Sequence, residues 1–301
     1  MVNFQRILYL SSVLFFFLGC ADKFKENKEI KTTCPTGVEP IQKVLFIGWD
    51  GVRTDALLQA TTPHLDSLLD ESIYCWNVDR GPYTVSTPGW STLLHGVWPN
   101  KHGLTENSFK KNRYKKYPDI FTILHDYKPN LGLATLSNWD AFLQITANET
   151  YAQRFDTDPL MLVDALALLD NCTPDAMLLH FDFPDDTGHE FGFSPSVLEY
   201  QNAIEVCDHY LGQLMNKIYW REANFGEKWL VVLTTDHGGE GTGHGNQDDL
   251  PQTRNVWYVV RSPEFTITQK TEGLSVDILP SMLKWLNCPY TQYDLDGTAL
   301  F

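Results

Sequence analysis

Residues 43 to 49, KVLFIGW, leave little choice of architecture. The run is too short for a core helix, and after its lysine no alternate position is polar, so neither face of a strand built from it meets water. A strand buried on both faces belongs in a parallel sheet covered by helices on each side. Asp50-Gly51 ends the run with a turn.

Similar runs recur at Leu131–Leu136, Met177–Phe183, Trp229–Thr235 and Val256–Val260. Segments of helical period lie between them: Thr62–Ser72, Pro88–His95, Pro118–Tyr127, Pro159–Leu169, Ser196–Tyr219 and Ser275–Trp285. This alternation predicts an α/β fold, a largely parallel central sheet sandwiched by helices. With no internal repeat, residues 42–301 read as one catalytic domain. Ligands of such sheets gather where strands end at their carboxyl termini.

The chain opens with Arg6, the apolar run Ile7–Leu18 and then Gly19-Cys20. That run is too short to span a bilayer and reads as a signal peptide over residues 1–20. A small residue before Cys resembles a bacterial lipoprotein signal, with Cys20 acylated; an ordinary secretory signal is the alternative. Residues 21–41, Lys/Glu-rich with Pro35 and Pro40, read as a polar tether. The expectation is an exported envelope protein, held to the membrane through lipid on Cys20. Without Cys20, five cysteines remain (Cys34, Cys75, Cys172, Cys207 and Cys288), an odd number that leaves at least one thiol unpaired. None forms a CxxC pair, so a zinc site built on sulfur is not expected. A formal net charge of −15 without a basic stripe argues against a nucleic-acid polymer as partner. It does not argue against a small phosphate ester, because bound divalent cations invert the local field.

Four segments hold the residues suited to chemistry. Asp50 follows the first strand. Asp185-Asp186-Thr187-Gly188-His189 follows the strand ending FDF, as a tight loop on which an Asp and a His converge. Asp236-His237 ends another apolar strand, where a buried carboxylate is costly without a cation or partner. His244 lies in the glycine-rich GTGHG. Each alone has an ordinary reading as turn, loop or packing. Together Asp50, Asp185, His189, Asp236, His237 and His244 supply the mixed oxygen and imidazole set that suits zinc. Between the first two segments, Ser86 and Thr87 precede Pro88, placing two hydroxyls at a helix N-terminus, where free N–H groups attract phosphate. Either hydroxyl also serves as an ordinary cap.

In this order the residues resemble the alkaline phosphatase superfamily, and most closely its nucleotide pyrophosphatase, phosphodiesterase and sulfatase-like branch, over about residues 43–300. Asp50 in LFIGWDGVRTD is similar to the family's first metal aspartate. Ser86 stands at the nucleophile position, and WPNKHG followed by Asn107 resembles the stretch whose Asn binds a phosphoryl oxygen. PDDTGH and TTDHGG are similar to two further family elements. The resemblance implies that Asp185, His189 and His244 hold one metal and Asp50, Asp236 and His237 a second, both zinc. It implies Ser86 as nucleophile through a phosphoseryl intermediate, with Thr87 as the neighbouring alternative and Asn107 bearing charge. Two departures stand out. Trp90 occupies the place of an Arg that sulfatases need, and Ser replaces the Thr of the phosphodiesterases. The expected activity is therefore two-metal hydrolysis of a phosphodiester or nucleotide. Phosphomonoesterase, sulfatase, phospho-group transferase and non-enzymatic surface lipoprotein remain as alternatives. Arg53 and Lys101 are the basic residues within the matched stretches. Trp49, Tyr83, Trp90 and Trp139 are aromatics near the site that could stack on a flat group, although such residues more often serve as core or rim packing.

Overall fold

The computed structural model describes residues 31–38 and 41–301, so the signal segment, Cys20 and residues 21–30 lie outside the described residues. Its strands are β1 (Lys31–Thr32), β2 (Gln42–Trp49), β3 (Ser72–Asp79), β4 (Leu133–Ser137), β5 (Tyr151–Arg154), β6 (Ala176–Phe181), β7 (Lys228–Thr234), β8 (Asn255–Arg261), β9 (Thr268–Lys270) and β10 (Gly273–Leu274). They form one sheet in the order β1-β5-β4-β6-β2-β7-β8-β3-β10, with β9 also on β3. The run from β5 to β7 is parallel. β8 is antiparallel to both β7 and β3, and β1 is antiparallel to β5.

Alternation along β2 divides the core in two. Leu45, Ile47 and Trp49 pack on one side against α3 (Asp158–Asn171) and α5 (Leu198–Phe225) through Met161, Ala165, Tyr200, Ile204 and Leu211. Val44 and Phe46 pack on the other against α1 (Ser86–His95), α2 (Ile120–Tyr127) and α6 (Ile278–Trp285) through Trp90, Leu94, Phe121 and Met282. Every side chain from Val44 to Ile47 is fully buried, and each large apolar one contributes about 1.5–3 kcal/mol. The next residue on the second side is Gly48, where a Cβ would lie 2.5 Å from the Trp90 ring. Closeness of α1 to the sheet depends on that missing methyl.

Two readings of the sequence need correction. The DDTGH segment is not a loop: it lies within α4 (Phe183–Phe191), so Asp185 and His189 share a helical face at i, i+4. Asp158 starts this helix from a distance, accepting from the backbone N–H groups of Asp182 and Phe183 at 3.3 and 3.0 Å. The stretch read as tether is also folded from Lys31 to Val38. There β1 edges the sheet, Val38 N donates to Asp175 at 2.9 Å, and Cys34 is disulfide-bonded to Cys172. Cys75, Cys207 and Cys288 are buried free thiols. No helix among the described residues is long and apolar enough to cross a membrane.

Candidate active site and metal centre

Register brings the polar residues to one end of the sheet. Trp49 pairs with Phe181 and Gly48 with Thr234, so the chain segments after β2, β6 and β7 emerge side by side. Gly51 (φ +67°) takes the left-handed turn, and a Cβ there would sit 2.5 Å from Asp185 Oδ1, which only glycine avoids. In consequence Asp50 and Asp185 face a common space.

All six expected ligands meet there. His237 Nε2 lies 3.4 Å from Asp50 Oδ1 and 3.4 Å from Asp236 Oδ2. His189 Nε2 lies 3.2 Å from Asp185 Oδ2, and His244 Nε2 lies 3.8 Å from Asp185 Oδ1. The His237 and His244 rings stack at 3.8 Å, joining the two groups. The ligand atoms of Asp185, His237 and His244 also lie within 4.8 Å of one another, so His237 faces both groups.

Hydrogen bonding shows what these groups are arranged for. His237 Nδ1 donates to Gly238 O at 2.8 Å, His244 Nδ1 to Thr84 O at 2.7 Å and His189 Nδ1 to Thr242 O at 3.0 Å. With each Nδ1 proton committed to a carbonyl, Nε2 is the nitrogen that each ring turns inward, as in metal sites. His189 Nε2 and His244 Nε2 stand 3.1 Å apart, close enough to share a proton or to ligate one cation. Three buried carboxylate oxygens have no hydrogen-bond partner: Asp50 Oδ1, Asp185 Oδ1 and Asp236 Oδ2. Leaving such an acceptor unmet costs about 1–3 kcal/mol. Side chains of this kind, so oriented, fit divalent cations.

Proton affinities bear the mark of crowded charge. Asp236 is pushed well above the ordinary carboxylate range, first by burial and then by the charge of Asp50. Burial also works to raise Asp50, but the His180 hydrogen bond and the nearby His237 outweigh it and hold Asp50 well below that range. His237 falls well below an ordinary imidazole through burial and the adjacent His244. His189 is raised to about 9, chiefly by its hydrogen bond to Asp185.

Ser86 is the first residue of α1, two earlier than the helix read from Pro88, and its Oγ lies 3.0 Å from His237 Nε2. Thr87 is fully buried, and its hydroxyl, which has no partner, does not reach the imidazole cluster by any hydrogen bond. Asn107 Oδ1 accepts from Thr87 N at 2.9 Å, which sets its amide nitrogen free for a ligand. Beside Asn107 opens a cavity of about 250 Å³ lined also by Phe109, Asn138, Trp139, Gln144 and Arg154.

Other expectations separate. Trp49 and Trp90 are wholly buried on opposite faces of the sheet and cannot stack on a ligand; Trp139 lines the cavity and Tyr83 is exposed. Arg53 is held by Asp55 and Glu240 at 2.6 and 3.0 Å, and Lys101 by Asp294 and Asp296 at 2.9 and 2.7 Å. Sequence reasoning missed Arg80 and His180. Arg80, buried beneath α1, donates to the carbonyls of Asp236 and Val85. His180 contacts Asp50 from within β6.

A sequence model described as Type I phosphodiesterase / nucleotide pyrophosphatase matches residues 44–139 and 122–277. The chain belongs to this family. Mouse ectonucleotide pyrophosphatase/phosphodiesterase family member 7 is 24% identical over 253 residues, 69% of this chain and 53% of that protein. The chain spans about half the length of the curated relatives it matches. Among solved structures, inactive murine ectonucleotide pyrophosphatase/phosphodiesterase 5 in complex with AMP shares the fold with a TM-score of 0.69. It is 16% identical, and the match covers 85% of this chain and 97% of that one. BT4656, solved with its substrate D-glucosamine-2-N,6-O-disulfate, has a TM-score of 0.66 at 12% identity, covering 86% of this chain and 79% of that one. These neighbours share the α/β fold of the chain, while its family rests on the sequence match.

Proposed function

We propose that the chain is a metal-dependent hydrolase of phosphodiesters of the nucleotide type, with Ser86 as nucleophile. The observation that carries this reading is the convergence of three imidazole Nε2 atoms and three unpartnered carboxylate oxygens beside the Ser86 hydroxyl. Asp185, His189 and His244 would hold one cation, and Asp50, Asp236 and His237 the other, both zinc. When bound, such ions supply Lewis-acid charge that lowers the pKa of a nearby hydroxyl and neutralises phosphoryl oxygens.

The chain's own residues account for the rest. At the N-terminus of α1 the Thr87 N–H is taken by Asn107, Pro88 has none and Gly89 N donates to Val85 O, which leaves the Ser86 N–H for the phosphoryl group, while the Asn107 amide nitrogen donates to a non-bridging oxygen. Ser86 Oγ attacks phosphorus in line, forming the Oγ–P bond as the bond to the leaving alcohol breaks. Water then cleaves the phosphoseryl ester, restoring the hydroxyl and releasing the phosphomonoester product.

Three features favour a diester. Arg53 and Lys101, the basic residues of the matched stretches, are fully engaged by carboxylates and turned to other duties, so neither offers a clamp for the second charge of a monoester. Trp90 holds the place of the sulfatase Arg and donates to Asp50, which weighs against sulfate. The half-buried Trp139 and the cavity beside Asn107 suit the flat organic arm of a nucleotide, and AMP is the ligand of the murine neighbour. A domain exported as a lipoprotein acylated on Cys20 is consistent with the Cys34–Cys172 disulfide, since such bonds persist in oxidising compartments.

The test is hydrolysis of bis-p-nitrophenyl phosphate and p-nitrophenyl phosphate by the zinc-loaded chain, with and without chelator. The proposal expects chelator-sensitive turnover favouring the diester. Preference for the monoester makes it a phosphatase, and no turnover of either supports a sulfatase, a transferase or a binding lipoprotein.

A further inference from the structure

Asp50 divides its two oxygens between different tasks. Oδ1 has no hydrogen-bond partner and faces His237. Oδ2 accepts two hydrogen bonds, from Trp90 Nε1 and from His180 Nε2, each at 2.9 Å. A carboxylate free to rotate about its Cβ–Cγ bond presents either oxygen to a cation; one whose second oxygen is held by two fixed donors presents only the first. The precision of the site therefore passes to whatever fixes the donors.

His180 is fixed on every side. It is fully buried in β6, with the Ser137 hydroxyl 3.1 Å from Nδ1. Ser137 is itself held by Trp139 N, which donates to Oγ at 2.9 Å. The ring stacks on Phe142 at 4.5 Å, lies 5.8 Å from Trp139 and meets Trp90 edge-on at 5.2 Å. Enclosed by aromatics, Nε2 has the Asp50 carboxylate as its hydrogen-bond partner, and because a carboxylate only accepts, Nε2 carries the proton. A polar imidazole in a wholly apolar strand is costly, and packing alone gives no reason for it, since phenylalanine would fill the same box.

We infer that His180 is a positioning residue for the proposed metal centre, locking Asp50 so that Oδ1 points at the cation it would share with Asp236 and His237. The inference rests on the metal reading of that site. Residues that orient ligands from behind typically account for about 10–100-fold in metal affinity or activity. His180→Phe should keep the aromatic box and the fold while removing the donor. His180→Gln should restore an N–H towards Asp50.

The experiment titrates zinc into the chelator-stripped full chain against a chromophoric chelator, for wild type and both variants, alongside kcat and KM on bis-p-nitrophenyl phosphate. Expected is a 10–100-fold weaker affinity for one ion in His180→Phe, with kcat reduced, KM little changed, and substantial recovery in His180→Gln. Thermal melts of the metal-free proteins separate this from misfolding; if His180→Phe does not fold, Trp90→Phe, which removes the other donor to the same oxygen, is read for the same one-ion weakening. A wild-type chain that binds no zinc overturns the metal reading itself. Wild-type binding of two ions with both affinities unchanged in His180→Phe overturns only the role of His180. A third ion, lost in His180→Phe, also overturns it, because Asp50, His180 and Asp182 lie within ligand distance of one another and His180 would then be a ligand.

Discussion

Removing divalent ions should destabilise the fold, and returning them should raise its melting temperature by an amount the site itself sets. Asp50 Oδ1, Asp185 Oδ1 and Asp236 Oδ2 are buried acceptors without partners. At about 1–3 kcal/mol each, their unmet demand is of the order of 3–9 kcal/mol. A cation satisfies them in the folded chain alone, because the unfolded chain scatters the six ligands across positions 50 to 244. Linkage then gives about 4 kcal/mol of stabilisation per site when free zinc is 1,000 times the dissociation constant. For a chain of this size each kcal/mol moves the melting temperature by about 2 °C, so one filled site corresponds to about 8 °C. The assay is a thermal melt of chelator-stripped full chain across a zinc titration, repeated with Asp236→Asn and His244→Ala. The step should grow with zinc, saturate, and shrink in both variants. A wild-type melt unmoved at saturating zinc, or a shift in both variants as large as that of the wild type, refutes the reasoning from unpartnered oxygens.

Two further outcomes follow from named groups. In the metal-free chain His189 is raised from 6.5 to about 9, so its pairing with Asp185 contributes stability that is full below pH 6.5 and lost as pH rises through about 9. Zinc needs the same Nε2 unprotonated, so zinc affinity should rise between pH 7 and pH 9 with release of protons, read by calorimetry in buffers of different ionisation enthalpy; a pH-independent affinity contradicts the assignment of His189. Cys34→Ala opens a loop closed by residues 138 apart in sequence and should lower stability by about 2–5 kcal/mol in denaturant melts while leaving turnover at 25 °C unchanged.

How much of this was legible in the sequence depends on what each residue shares with its neighbours. Asp50, Asp236 and the strand runs before them were readable, because an apolar strand ending in a carboxylate is a break in pattern. The largely parallel sheet followed from the same runs. β3 was not, since SIYCWNVD mixes polar and apolar residues and is held by its antiparallel pairing with β8, a long-range contact without local signature. Helix α4 has the local signature of a loop because DDTGH is rich in poor helix formers; its start is set by Asp158, 25 residues upstream of Phe183. His180 was hidden by its setting, one polar residue inside AMLLHF, where hydropathy reports the strand and says nothing of what the imidazole touches. The stretch 31–38 read as tether by composition, and its disulfide with Cys172 depends on a partner far along the chain.

The central claim is that Ser86 is the nucleophile of a metal-bearing site, and replacing it by alanine while measuring zinc content and bis-p-nitrophenyl phosphate turnover on the same preparation tests it most directly. The account predicts turnover falling to the level of the chelated wild type, with zinc content unchanged, because Ser86 touches the cluster only through His237 Nε2 and supplies none of its carboxylate or imidazole ligands. Wild-type turnover by a fully zinc-loaded Ser86→Ala protein contradicts it and moves the nucleophile away from Ser86.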